Sequence, residues 1–102
     1  MAINIHITEL VDEIVRKYKP AKIYLISHKQ NLSGVITSFK LCVVCDVADG
    51  NALEHDMYLT LESELPFDVV VYTIAEWGQM SVSEHSFAAK IIDTGIILYE
   101  QE

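Results

Sequence analysis

No apolar run in the chain approaches the roughly 20 residues that a membrane-spanning helix needs. The opening residues carry Asn4, His6 and Glu9 where a secretory leader would carry a basic cap and an apolar stretch. A cytoplasmic location without membrane contact is therefore expected. Basic residues are scarce: 7 Lys and Arg stand against 15 Asp and Glu, a net charge of −8 at neutral pH. Such a field repels phosphate backbones and anionic lipid at long range, which disfavours nucleic acid as a partner. Lys17, Lys19, Lys22, Lys29 and Lys40 nevertheless all lie in the N-terminal part, so a local basic pocket is compatible with the overall charge. The 2 cysteines fall in Leu41-Cys42-Val43-Val44-Cys45, a run that reads as a buried strand. Residues three apart on a strand face opposite sides, so this pair neither closes a disulfide nor chelates one metal. Two buried thiols filling apolar space is the expected outcome. Repeats, linkers and low-complexity segments are absent, and so is the Gly-x-Ser-x-Gly elbow of a serine hydrolase. His6, His55 and His85 lack the paired spacing of a metal cluster.

What is present fits one domain over residues 1–102, large enough for a core without disulfides or a structural metal. Apolar residues make up 51% of the chain. With a mean hydropathy of +0.26 this is high for a soluble chain of its length, and it suggests apolar surface covered by a partner or a second copy.

Leu10, Val11, Ile14, Val15 and Tyr18 form one helical stripe, predicting a helix from an N-cap at Thr8 to a stop at Pro20. A short strand is expected over Lys22–Ser27, a polar loop over His28–Gly34 and a second strand over Phe39–Asp46. Leu53, Met57 and Leu61 recur at helical spacing and place a second helix from about Asn51 to Leu65, followed by Pro66. Phe67–Ile74 holds the densest β-branched run and is expected to be the central strand. A short capped turn follows it, with Trp77 and Met80 as either a partner-binding anchor or a lid on the core. Ser83–Thr94 reads as a third helix ending at a left-handed Gly95, and Ile96–Tyr99 as a last strand. The predicted class is α/β (α+β), a mixed sheet with helices packed over it in the order α-β-β-α-β-α-β.

Particular words in this order are similar to the minimal nucleotidyltransferase family of prokaryotic two-gene modules. They are Lys22-Ile23-Tyr24-Leu25-Ile26 before a polar segment, Leu41-Cys42-Val43-Val44, Phe67-Asp68-Val69-Val70-Val71-Tyr72-Thr73, Ser86-Phe87, and Gly95-Ile96-Ile97-Leu98-Tyr99-Glu100. The resemblance spans nearly the whole chain and implies a nucleotidyltransferase-like fold. Members transfer a nucleotidyl group from a nucleoside triphosphate with two divalent cations, held by an Asp-x-Asp pair and a third carboxylate on a neighbouring strand. A Gly-Ser turn after the first strand brings backbone N–H groups to the phosphates.

Laid on this chain, the Asp-x-Asp pair falls at Ser38 and Lys40, or one residue along at Phe39 and Leu41. Neither register supplies a carboxylate. Asp46 shares a strand face with Lys40, but six residues of strand put it about 20 Å away. The third carboxylate position matches at Asp68. Ser27-His28 stands at the Gly-Ser turn and Lys29 where an arginine often follows, three side chains that can donate to phosphate. The resemblance thus implies a degenerate member acting as a binding or regulatory module, either as a homodimer or beside a helical protein in a toxin–antitoxin-like pair. It needs no cofactor, and nucleoside triphosphate stays open as a ligand. Two alternatives remain. One is a rearranged, Mg2+-dependent transferase using Asp68, Lys40 and His28; the other is a nucleotide sensor without turnover.

Overall fold

The structure is a computed structural model that describes residues 4–83 and 85–101. Among the described residues four helices pack on one four-stranded mixed sheet. The elements are α1 (Ile5–Tyr18), β1 (Lys22–Gln30), β2 (Ile36–Cys45), α2 (Gly50–Thr60), β3 (Phe67–Thr73), α3 (Ile74–Ser81), α4 (Phe87–Thr94) and β4 (Ile96–Glu100). The strand order is β3-β2-β1-β4. β1 runs antiparallel to both β2 and β4, while β3 lies parallel to β2.

The sheet separates two apolar layers. Strand alternation sends Ile23, Leu25, Phe39, Leu41, Val43, Val69 and Val71 to one side, where α1 contributes Ile7, Leu10, Val11 and Ile14 and α2 contributes Met57 and Leu61. Tyr24, Cys42 and Val44 face the other side and meet Trp77 of α3 and Ala88 and Ile91 of α4. The two thiols separate as strand geometry requires, Cys42 in the second layer and Cys45 donating weakly to the Tyr18 carbonyl at 3.5 Å behind α1. Burial pushes the Cys42 thiol up to about 12 and Cys45 in the same direction.

Several boundaries differ from the sequence expectation. α1 starts at Ile5 because Asn4, not Thr8, is the cap: its side chain accepts from the His6 N–H at 2.8 Å, and Ile7 joins the buried stripe. Residues 28–30 are strand rather than loop, so β1 and β2 form a long hairpin around a turn at 31–35, where Gly34 takes a φ of 81°. Asn31 holds that turn by accepting from the Ser33 and Val35 N–H groups. α2 ends at Thr60 rather than Leu65, because Leu61 and Leu65 turn back to the core in extended chain before β3. The expected short turn after β3 is a full helix, α3, started by a capping box between Thr73 and Glu76. The element order is accordingly α-β-β-α-β-α-α-β. The predicted third helix begins at Phe87 with Ser86 as its cap; Glu84, inside the expected span, lies outside the described residues.

Trp77 is 7% exposed and packs with Tyr24 and Tyr72 at ring centroid distances of 5.5 and 5.7 Å, so it is the lid on the second layer. Gly95 is not left-handed: its φ is −78°. Glycine is required there by close approach, since a Cβ would sit 2.6 Å from the Ile91 carbonyl oxygen.

β3 is an edge strand, not the central one; its β-branched run reflects apolar cover on both faces, and side chains close its free edge. Three successive outward N–H groups meet a side chain: Val69 donates to Tyr58 Oη at 2.9 Å, Val71 to Glu54 Oε1 at 3.1 Å and Thr73 to Glu76 Oε1 at 2.9 Å. Helices α2 and α3 thereby seal the edge that a bare strand would offer to another chain. Gly50 lets α2 begin this close, as a Cβ there would lie 3.0 Å from the Val71 carbonyl.

Candidate functional site

Three strand segments converge at one end of the sheet: the distal half of β1, the first half of β2 and the entrance of β3. A bulge at Ile26 shifts the β1–β2 ladder so that Ser27 pairs with Lys40, His28 with Phe39 and Lys29 with Ser38. Across the parallel β2–β3 ladder Lys40 pairs with Asp68 and Phe39 with Phe67. Lys40 therefore stands between Ser27 on one neighbouring strand and Asp68 on the other. By strand alternation Ser38 and Lys40 share the face of Cys42 and Val44.

These residues line one cleft of about 300 Å³ together with Pro66 and Phe67. All five residues singled out from the sequence, Ser27, His28, Lys29, Lys40 and Asp68, border it, but His28 pairs with Phe39 and so turns its side chain to the opposite face, leaving Ser27, Lys29, Lys40 and Asp68 on the cleft side. Ser27, His28, Lys29 and Asp68 are exposed and Lys40 is half-buried. Phe39 and Phe67 turn their rings to the opposite face, the side of α1 and α2, where they stack at 6.2 Å and Tyr58 of α2 stacks on Phe67 at 6.1 Å. Tyr58 also reaches the carboxylate side of the site: its hydroxyl lies 3.4 Å from Asp68 Oδ1 and 3.3 Å from the Val69 carbonyl. Burial raises the Tyr58 hydroxyl above its ordinary range, so it stays a neutral hydrogen-bonding group.

Tyr58 was invisible to sequence reasoning, because it lies off the apolar stripe of α2 and its partners are 10 and 11 residues further along. The Thr73-x-x-Glu76 capping box was readable in the sequence but is recognised only with α3 in view.

The donor set decides what the cleft can hold. On the cleft face Ser27, Lys29, Ser38 and Lys40 present hydrogen-bond donors, and two of them are ammonium groups, against one carboxylate. An anionic or phosphorylated ligand matches this balance. A pair of divalent cations does not, for it needs several oxygen ligands, and the position beside Asp68 carries the Lys40 ammonium. Among the described residues no group of three or more His, Cys, Asp or Glu is placed to hold a metal ion. Two further surface depressions are more open, one along α4 around His85, Lys90 and Asp93, the other beside Glu62 and Glu64. Neither holds any of the five candidate site residues.

No family model, curated protein or solved structure matches this chain. Function is therefore argued from the cleft and from the sequence words that resemble nucleotidyltransferases.

Among the described residues, no helix is long and apolar enough to cross a membrane.

Proposed function

We propose that the chain is a catalytically degenerate nucleotidyltransferase-like module that works by binding, in the cytoplasm of a prokaryote, through a protein partner or a second copy of itself. One observation carries this reading. Lys40 lies directly across the ladder from Asp68, at the place where the resembled family would put a metal-binding carboxylate. A divalent ion brought within about 4 Å of an ammonium group is repelled by about 4 kcal/mol per unit charge at the effective dielectric of a protein surface. One remaining carboxylate does not offset that.

The cleft favours a second reading alongside the first, nucleotide or phosphate sensing without turnover. Its donors outnumber its acceptors, and its volume of about 300 Å³ suits a compact phosphorylated molecule. The alternative of a rearranged, Mg2+-dependent transferase would need Asp68, Lys40 and His28 to take new catalytic roles.

Titration calorimetry with Mg2+ and each nucleoside triphosphate separates the three. The binding module gives no product and no metal-dependent heat. The sensor gives metal-independent binding that Lys40→Ala abolishes. Product formation that Asp68→Ala eliminates would establish the transferase and overturn the proposal. The double change Ser38→Asp with Lys40→Asp, which writes the carboxylate pair back beside Asp68, is expected to create Mn2+ binding that the natural sequence lacks.

A further inference from the structure

The two edges of the sheet are treated differently. On β3 three successive outward N–H groups are closed by Tyr58, Glu54 and Glu76. On β4, among the described residues, no side chain bonds the backbone of Ile96–Glu100; the neighbouring bonds, from Gly95 to Ile91 and from Gln101 to Ala21, lie just outside the strand. The open edge is also apolar. Ile96 and Ile97 are 37% and 47% exposed, and Phe87 and Ile92 of the adjoining α4 are 40% and 46% exposed. Natural edge strands are commonly blunted by lysine, proline or a covering element, and β4 has none of these.

We propose that β4 is a self-association edge, on which β4 of a second copy pairs antiparallel across a two-fold axis to make one continuous eight-stranded sheet. Three features select a second copy as the occupant. An antiparallel edge is complementary to itself, so the strand that β4 requires, short, apolar and unblocked, is the one the chain already carries. Because β3 is sealed, β4 of one copy is denied β3 of the next, which excludes the head-to-tail filament and leaves the closed dimer. The charge also permits it despite the net −8. The single ionised residue of β4, Glu100, is paired with Lys22 at 3.5 Å, so two strands approach without an uncompensated carboxylate in either. The inference deepens the binding-module reading by naming its surface and partner, and it is independent of what the cleft holds.

Sedimentation velocity over a concentration series, with hydrogen exchange of the β4 amides at the same concentrations, is the test. The natural sequence is expected to shift from monomer to dimer with concentration, and exchange at Ile96–Glu100 should slow in step while β3 stays constant. Ile97→Lys, at an exposed site, is expected to weaken the dimer more than tenfold. Leu59→Lys, at an exposed apolar site on α2 far from this edge, should leave it unchanged. A natural chain that stays monomeric throughout would overturn the proposal, as would a dimer indifferent to Ile97→Lys or equally broken by Leu59→Lys. Should Ile97→Lys fail to fold, the concentration dependence of β4 exchange in the natural chain decides the matter alone. A monomer with no nucleotide turnover would sink this inference and spare the reading of the cleft, whereas a dimer that turns over nucleotide would do the reverse.

Discussion

Replacing Tyr58 by phenylalanine removes one oxygen from the sealed edge and keeps almost everything else. The ring stack on Phe67, at 6.1 Å and an interplanar angle of 6°, is preserved. What disappears is the acceptor for the Val69 N–H at 2.9 Å and the longer bonds from the hydroxyl to the Val69 carbonyl and Asp68. An orphaned buried N–H costs about 1–3 kcal/mol. Tyr58 is 46% exposed, so water recovers part of this, and the expected loss is about 1 kcal/mol. For a domain of this size that is a fall in Tm of roughly 4–8 °C. Urea unfolding followed by far-UV circular dichroism should show a lower midpoint with an unchanged slope. Exchange at Val69 should rise by about fivefold, the equilibrium equivalent of about 1 kcal/mol. Because a second edge is then partly open, the variant is also expected to form species larger than a dimer on concentration. Unaltered stability together with unaltered Val69 exchange would refute the account of the edge.

Two further expectations rest on the core. Gly95→Ala sets a methyl 2.6 Å from the Ile91 carbonyl oxygen, which also accepts the Gly95 N–H at 2.7 Å, so the last turn of α4 must shift. Overpacking of this kind costs about 1–3 kcal/mol, only partly offset by the roughly 0.4–1 kcal/mol that alanine gains by restricting the unfolded chain. A neutral or stabilising result in urea unfolding would contradict the close approach. Burial raises the Cys42 thiol from its ordinary 9.0 to about 12, so the folded state holds a proton that the unfolded state releases above pH 9. Stability should be fully present below pH 9 and fall by up to about 1.4 kcal/mol per pH unit as pH rises toward 12. Cys42→Ala should flatten that part of the profile, and an identical slope in the variant would assign the loss to other groups.

Local chemistry was strong enough to read in several places. The stripe Leu10, Val11, Ile14 places α1 against the core, the Cys-Val-Val-Cys run makes a buried strand, and Ala88 and Ile91 mark the buried face of α4. These follow from side-chain periods of 3.6 and 2, which act over a few residues. The five candidate residues of the cleft were named by laying the motifs of the resembled family on the chain, and the fold gathers them at one end of the sheet.

The sequence by itself therefore determined the apolar stripes of α1 and α2, the middles of the four strands, and that the core is apolar with thiols as filler, but not α3 or the full length of β1. Tertiary structure alone decided that β3 is an edge, that Trp77 is a lid, that a bulge at Ile26 sets Ser27 opposite Lys40, and that one sheet edge is sealed while the other is open. The reason is range. A β-branched run records that a strand has both faces covered, but the bonds that close its edge come from Tyr58 and Glu54, 11 and 17 residues away, and no local period carries that information.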